Sequence, residues 1–257
     1  MANFFLRDTA LTYVTVDWDY FIPEDPMWDF GHRESQFHLR HAWAIRILHF
    51  KEMRTNGLEK DFWPKLWQKF DIPVQDFIRV SDSHSSVCND PWFWEARTVV
   101  LIDAHHDMFG DGKSGRVDCG DWLSAWLRCH KSNRAFWVRA DHTWEKDLPS
   151  YPGMKALSRR VEVLDSIEEL PQLPNVMLHT CRSGCWTPPW LDQAFVRFVK
   201  ASNRDPLVLD KQWSDPLKPR FSLSDYRSAW QSMRQFEQMR EQMRGMQNIK
   251  FGEETHT

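Results

Sequence analysis

Short runs of apolar and β-branched residues recur along the chain and alternate with longer stretches whose apolar positions follow helical spacing. The runs are continuously apolar, which is typical of strands buried on both faces of a parallel sheet. We predict strands at residues 11–16, 77–80, 98–102, 134–138, 161–164 and 176–178 with its flanks. The helical spacing predicts helices at residues 35–53, 61–70, 121–129 and 190–201.

This alternation of strands and helices predicts a three-layer α/β/α domain with a mainly parallel sheet. The chain has 257 residues, of which 42% are hydrophobic, so it can bury one sizeable core. We therefore expect a single domain over residues 1–257. Active sites of such sheets lie outside the carboxyl ends of the strands.

The last part of the chain has a different pattern. Residues 202–218 are rich in proline and aspartate and predict a long loop. Ser222 and Asp225 form a capping-box-like start to an amphipathic helix over residues 222–248. Its apolar positions are Tyr226, Trp230, Met233, Phe236, Met239, Met243 and Met246. We expect this helix to pack on the domain or on a partner.

Charge and composition exclude several classes of protein. With 33 basic and 36 acidic residues the net charge is −3, so no strong field favours nucleic acid or an anionic membrane. No apolar run approaches the length of a bilayer span, and the N-terminus does not resemble a signal peptide. We expect a cytoplasmic protein, and the odd count of five cysteines argues against a disulfide framework. The oligomeric state is left open, with a homo-oligomer as one alternative.

Metal-ligand side chains follow the predicted strand at residues 98–102. Asp103, His105 and Asp107 stand at alternate positions, and in extended chain such side chains point to the same side. Adjacent buried carboxylates are costly unless a cation lies between them. The alternative is that an aspartate at a strand end caps the next helix, but three ligand-type residues at this spacing favour a metal site.

Two other predicted strands end in the same kind of side chain. Residues 11–16 run into Asp17 and Asp19, and residues 77–80 are followed by His84. Alone, either feature is weak, because such residues are common in solvated loops. Together, four aspartates and two histidines suit Mn²⁺ or Fe²⁺ better than a structural zinc ion.

These motifs resemble those of the arginase and agmatinase superfamily. Asp103-Ala-His105-His106-Asp107 is similar to its Asp-Ala-His-x-Asp signature, and His84 stands in a sequence similar to its Gly-Gly-Asp-His-Ser motif. Asp17-x-Asp19 resembles a further acidic element, although here it precedes the other two motifs. Residues 15–21, 102–107, 118–123 and 181–192 together resemble a divergent branch that includes the peptide arginases of ribosomal peptide (RiPP) biosynthesis.

The resemblance implies an arginase-like fold and a centre for two Mn²⁺ ions. One ion would be held by Asp17, His84, Asp103 and Asp107. The other would be held by Asp17, Asp19, Asp103 and His105. It further implies hydrolysis of the guanidino group of arginine residues in a precursor peptide, which gives ornithine and urea. Asp103 and Asp17 would then bridge the two ions, and Asp103 would be a catalytic residue.

The residues that bind substrate are less clearly marked. The loop Asp118-Cys-Gly120-Asp121-Trp122 carries candidate guanidinium ligands, although Asp121 or Asp118 is equally well explained as a helix N-cap. Arg182 stands in a Gly- and Pro-rich loop expected to line the cleft. His106 is either a proton shuttle or a residue that supports the ligands.

Other functions remain open at this stage. The same fold could act on free guanidino compounds or acyl-amines, as agmatinases and histone-deacetylase-like enzymes do. The latter use one zinc ion and have glycine where this chain has Asp107. A non-catalytic peptide-binding module, with the acidic residues serving as helix caps, is a third alternative.

Overall fold

A seven-stranded parallel sheet forms the centre of the chain. The computed structural model describes residues 10–23, 53–70, 76–110, 117–209 and 215–221, with single helical residues between 39 and 46 and between 228 and 240. The strands, in chain order, are β1 (Thr12–Asp17), β2 (Phe77–Ser81), β3 (Thr98–Asp103), β4 (Arg134–Arg139), β5 (Val161–Leu164), β6 (Val176–Cys181) and β7 (Asp205–Val208). Their order across the sheet is β5-β4-β3-β1-β6-β2-β7.

Short helices connect the strands. The α-helices whose full length the structure describes are α1 (Phe62–Trp67), α2 (Pro91–Glu95), α3 (Trp122–Cys129), α4 (Lys155–Ser158) and α5 (Asp192–Ala201). Among the described residues, 3-10 helices lie at Trp18–Phe21, Leu58–Lys60, His84–Asn89, Ile167–Glu169 and Pro189–Leu191. Two of these, Trp18–Phe21 and His84–Asn89, directly follow the carboxyl ends of strands β1 and β2.

Alternate residues of each central strand face opposite sides of the sheet, and each side has its own apolar cluster. Val14 and Val16 of β1 pack in one cluster with side chains of α1 and α5. Tyr13 of the same strand packs in the other cluster, with side chains of α2, α3 and α4. Helices therefore cover both faces, which confirms the predicted three-layer α/β/α class and explains why the strands are continuously apolar.

The six predicted strands are confirmed, most of them one to three residues longer than expected. The loop prediction for residues 202–218 was wrong over Asp205–Val208, which pairs with β2. This strand is short, exposed and at the edge of the sheet, where a proline such as Pro206 is tolerated and the apolar signal is weak. The helix predictions for residues 35–53 and 222–248 fall largely outside the described residues.

Two further properties follow from the described part of the chain. None of its helices has the length and apolar character needed to cross a membrane. The five cysteines all lie among the described residues and form no disulfide.

The burial pattern predicts a large difference between two leucine positions in the sheet. Leu101 in β3 is fully buried, whereas Leu207 in the edge strand β7 is 47% exposed. We expect Leu101→Ala to lower the free energy of unfolding by about 2–5 kcal/mol, and Leu207→Ala by roughly 1 kcal/mol or less. Chemical denaturation of both variants measures the difference, and equal losses would contradict the assigned burial.

Candidate metal centre

The carboxyl ends of three parallel strands bring the predicted ligands together. Strand β1 ends at Asp17, and its neighbour β3 ends at Asp103. Strand β2 leads into the 3-10 helix that begins at His84. Because parallel strands end at the same edge of a sheet, these side chains converge there. All six predicted ligands are at most 4% exposed: Asp17, Asp19, His84, Asp103, His105 and Asp107.

His84 lies at the centre of the first group of ligands. Its Nδ1 atom is 3.1 Å from Asp17 Oδ2, 3.0 Å from Asp103 Oδ2 and 3.0 Å from Asp107 Oδ2. Two ligand atoms that each lie about 2.1 Å from an octahedral cation are themselves about 3.0 Å apart. The spacing of Asp17, His84 and Asp103 therefore matches the coordination shell of one small divalent cation, and Asp107 lies next to His84 at the border of this group.

A second group lies beside the first and shares Asp103 with it. His105 Nδ1 is 3.2 Å from Asp19 Oδ2 and 3.6 Å from Asp103 Oδ1. Ligand atoms of Asp19, Asp103 and His105 all lie within 4.8 Å of one another, as do those of Asp17, His84 and Asp103. Asp103 thus directs one carboxylate oxygen toward each group, and these buried groups can hold a metal ion.

The electrostatics of the cluster also favour a cation. Burial raises the pKa of Asp17 to about 8, and the charges of Asp19 and Asp103 add to the shift. Burial, with the charges of Asp19 and Asp107, raises the pKa of Asp103 to about 7. Burial likewise raises the pKa of Asp107 to about 6. For Asp19 burial acts in the same direction, but the charge and hydrogen bond of His105 outweigh it and lower the pKa.

The hydrogen bonding of the first group is incomplete without a cation. Within the described residues, His84 Nδ1 and Asp103 Oδ2 are buried and have no hydrogen-bond partner, although they lie 3.0 Å apart. Native proteins rarely leave buried polar atoms unpaired unless an ion or a water serves them. A set of carboxylates with imidazole suits Mn²⁺ or Fe²⁺, so the residues present fit the metal that the sequence predicts.

Trp122 contacts two of the predicted ligands, Asp107 and His84. Its indole N–H donates to Asp107 Oδ2 at 2.5 Å, and its ring lies 4.7 Å from the His84 ring, measured between centroids. Asp107 adopts a left-handed backbone conformation with φ of 50°, which aspartate tolerates better than most residues. Trp122 is fully buried and contacts two predicted ligands, and its predicted role in substrate binding stays a prediction.

The rest of the loop before α3 forms hydrogen bonds within itself and with Phe109. Asp121 Oδ1 accepts from the Asp118 N–H at 2.8 Å, and Asp118 Oδ1 accepts from the Gly120 N–H at 2.9 Å. The Gly120 carbonyl accepts from the Phe109 N–H at 2.8 Å. Asp121 occupies the N-cap position of α3, but its side chain does not cap the helix. These carboxylates shape the loop, and substrate binding by Asp118, Gly120 and Asp121 stays a prediction.

Arg182 also has a different environment from the one predicted. Its side chain is fully buried, and its Nε donates to Asp82 Oδ1 at 2.6 Å. Its Nη1 donates to the Lys218 carbonyl at 2.6 Å and lies 3.6 Å from Asp192 Oδ2. The guanidinium of Arg182 is thus paired with acidic and backbone partners, and substrate binding by Arg182 stays a prediction. Arg182 fastens the loop after β6 to its neighbours.

His106 stands outside the two groups of ligands. Its backbone N–H donates to Glu145 Oε2 at 2.7 Å, and its Nδ1 accepts from the Met108 N–H at 3.0 Å. Burial, and secondarily the charge of His105, lowers the pKa of His106 to about 4. A neutral imidazole whose Nδ1 is already used favours the supporting role over the proton shuttle.

The loop after β4 carries side chains near the centre that the sequence analysis missed. Glu145 is 4% exposed, and burial raises its pKa to about 7, with the charges of Asp103 and Asp19 adding to the rise. Its Oε1 has no hydrogen-bond partner among the described residues. His142, in the same loop, interacts with Asp19. Strand β4 neighbours β3, so the rule that selected three strand ends could also have selected this fourth one.

Aromatic rings that are open to solvent lie beside the centre. Phe109, Trp144 and Tyr151 are 41%, 45% and 45% exposed. The Trp144 ring lies 6.4 Å from the His105 ring and 6.3 Å from the Phe109 ring, measured between centroids. The Tyr151 hydroxyl donates to the Phe109 carbonyl at 2.8 Å. These three residues, which we call the aromatic rim, join the metal centre to the protein surface.

Because Asp103 belongs to both groups, its carboxylate matters for all bound metal. We expect Asp103→Asn to weaken Mn²⁺ binding by more than about 100-fold, since loss of a supporting residue alone costs roughly 10–100-fold. Asp147→Asn, at an exposed position, is the matched control and should bind as the unaltered protein does. Metal analysis after dialysis at graded Mn²⁺ concentrations tests this, and full Mn²⁺ retention by Asp103→Asn would exclude the site.

The raised carboxylate pKa values predict how pH affects the protein. Asp17, Asp103 and Asp107 bind protons up to about pH 8, 7 and 6 in the folded metal-free protein, but only up to about pH 4 when unfolded. The metal-free protein should therefore lose stability as pH rises from 6 to 8. Mn²⁺ competes with these protons, so the rise in Tm on adding Mn²⁺ should be larger at pH 8 than at pH 6. An equal rise at both values would contradict the assignment.

Comparisons with known proteins identify no relative of this chain. No family model matches the chain, and searches of curated proteins and of solved structures give no match. The assignment of a reaction therefore depends on the site itself.

Proposed function

We propose that this protein is a manganese-dependent hydrolase that converts arginine residues in a peptide to ornithine and releases urea. The observation that carries the proposal is the pair of buried Asp/His groups that share Asp103. Centres of two metal ions with a shared carboxylate are suited to hydrolysis of bonds that resist attack by free water. The sequence motifs at the same residues resemble those of arginases, which favours a guanidino substrate.

The metal ions would supply one part of the chemistry. When bound, a pair of Mn²⁺ ions lowers the pKa of a shared water and so provides a nucleophile near neutral pH. The protein side chains position the ions and shield them from bulk water. Asp17, Asp107 and His84 on one side, and Asp19 and His105 on the other, hold the ions at fixed positions around Asp103 and exclude bulk water, because all are buried.

Glu145 is the residue that we propose to bind the guanidinium group. A guanidinium that leaves water needs an anionic partner, and the ligand aspartates are already committed to the metal ions. Glu145 is buried, lies near the ligands and has an unpaired Oε1 within the described chain. The hydrogen bond from the His106 backbone to its other oxygen fixes its orientation.

The reaction is a simple hydrolysis. The oxygen of water bonds to the guanidinium carbon, and the bond between that carbon and Nε breaks. The departing Nε takes up a proton and becomes the ornithine amine, while the carbon leaves as urea. The overall change consumes one water and needs no oxidant or reductant.

A peptide substrate is supported by the aromatic rim. Exposed aromatic rings next to a buried acidic site offer a surface for the backbone and side chains on either side of a target arginine. Trp144 can also attract the guanidinium by a cation–π interaction as it enters. Free arginine has no neighbouring residues that could contact the outer rings, Phe109 and Tyr151.

Mass spectrometry of an arginine-containing peptide tests the proposed reaction directly. After incubation with the Mn²⁺-loaded protein, the peptide should lose the mass of its amidine group, and urea should appear in equal amount. Free arginine, run in parallel, should react more slowly. Asp103→Asn should be inactive. If only free arginine released urea, the proposed substrate would be free arginine and not a peptide. If neither the peptide nor free arginine released urea, the guanidino chemistry would be refuted.

Glutamate substitutions test how the substrate is bound. We expect Glu145→Gln to lower kcat/KM for the peptide by roughly 100-fold, because removing one partner of a buried charge pair costs about 3 kcal/mol. Glu162→Gln, at an exposed position in β5, should leave kcat/KM unchanged. Mn²⁺ content should stay the same in both variants. Normal kcat/KM for Glu145→Gln would show that another group binds the guanidinium.

A further inference from the structure

A chain of buried hydrogen bonds runs behind His84, on the side away from the metal ligands. Thr15 Oγ1 lies 2.7 Å from His84 Nε2 and 2.8 Å from His179 Nδ1. The other nitrogen of His179, Nε2, lies 3.0 Å from Ser81 Oγ. The Ser81 hydroxyl in turn donates to the Ser83 carbonyl at 2.8 Å. The proposed reaction does not require any of these hydrogen bonds.

The direction of every bond in this chain follows from its last member. A carbonyl oxygen can only accept, so the single hydroxyl proton of Ser81 points to Ser83. Ser81 Oγ must then accept from His179, which places a proton on His179 Nε2. His179 is fully buried, and burial lowers its pKa well below the usual range, so it is neutral. A neutral imidazole with a proton on Nε2 has a lone pair on Nδ1.

The same reasoning continues from His179 to His84. Since His179 Nδ1 accepts, the Thr15 hydroxyl proton points to it. Thr15 Oγ1 is then an acceptor for His84, and the proton of the His84 ring lies on Nε2. In the neutral form of His84 the lone pair therefore lies on Nδ1, at the place where the oxygens of Asp17, Asp103 and Asp107 converge.

We propose that His179 and Thr15 are positioning residues that fix His84 in the tautomer whose Nδ1 binds the first metal ion. The partner of the distal ring nitrogen commonly sets the tautomer and orientation of a metal-bound histidine. The inference rests on the metal centre of the proposed function but not on its substrate.

The sheet builds this arrangement rigidly. Thr15 of β1 and His179 of β6 are direct partners in the register, and Arg79 of β2 is the partner of His179 on the other side. The His84 and His179 rings lie roughly parallel, 6.0 Å apart between centroids. A histidine in the middle of a fully buried strand costs desolvation without adding apolar contact. Its two directed hydrogen bonds to residues around His84 account for its presence.

A matched pair of variants at Thr15 tests the inference. Thr15→Ser keeps the hydroxyl and its bonds, whereas Thr15→Val has nearly the same shape but removes both bonds. We expect Thr15→Val to weaken binding of one Mn²⁺ ion by about 10–100-fold, the usual effect of removing such a partner. Thr15→Ser should bind both ions as the unaltered protein does. Calorimetric Mn²⁺ titration measures both affinities, and thermal melts in chelator verify that each variant is folded.

If Thr15→Val does not fold, a second pair of variants at His179 makes the same comparison between a side chain that keeps the hydrogen bond and one that does not. His179→Asn places an amide oxygen near the position of Nδ1 and can still accept from Thr15, whereas His179→Phe cannot. We expect the weaker Mn²⁺ affinity only for His179→Phe. In the Mn²⁺-free protein loaded with Zn²⁺ as a diamagnetic probe, nitrogen NMR should find the proton of His84 on Nε2.

The possible results separate this inference from the proposed function. Equal Mn²⁺ affinities within each pair, or a His84 proton on Nδ1, would overturn the positioning role alone. A weaker first site in Thr15→Val but not in Thr15→Ser would support it even if no urea were formed. Failure of the unaltered protein to bind Mn²⁺ at all would overturn both the metal centre and the inference.

Discussion

Repulsion among buried carboxylates is the constraint around which this molecule is arranged. Four aspartates lie almost without solvent contact at one edge of the sheet, where burial and mutual repulsion raise the pKa of Asp17, Asp103 and Asp107. The two predicted histidine ligands cannot balance four ionised aspartates, so the ionised cluster carries excess negative charge. Divalent cations resolve this conflict more completely than protons do, because one ion can serve several oxygens at once. The fold therefore makes metal binding favourable before any substrate is considered.

The surrounding structure keeps the ligands from relaxing away from one another. Trp122 fixes Asp107 from the α3 side, and the Thr15–His179 pair fixes His84 from within the sheet. On the loop after β6, Arg182 is paired with Asp82 in a fully buried setting. Because Trp122 lies on α3 and Thr15 and His179 lie on strands of the sheet, these contacts to the ligands are set by the fold and not by the ions alone.

The loop after β4 lies on the side of the metal centre where we propose that the substrate binds. It contributes Glu145 and Trp144 next to His105, and its Thr143 hydroxyl donates to the Ala104 carbonyl. This contact ties the loop to the Asp103–Asp107 segment, so an acid and an aromatic ring are held beside the metal ligands. A binding group for a cation is thereby positioned by the same segment that supplies the ligands.

The sequence by itself determined the fold class, six of the seven strands and the residues that form the two ligand groups. Those features depend on local patterns: continuous apolar runs, helical spacing, and ligand-type side chains at strand ends. The sequence did not determine the roles of Arg182 and Trp122, since polarity or size alone cannot tell a buried partner from an exposed one. Strand order decided which residues surround the centre. Only the tertiary structure could place Glu145 beside His106, or His179 behind His84, because both contacts join residues that are distant in the chain and meet through the pairing of parallel strands.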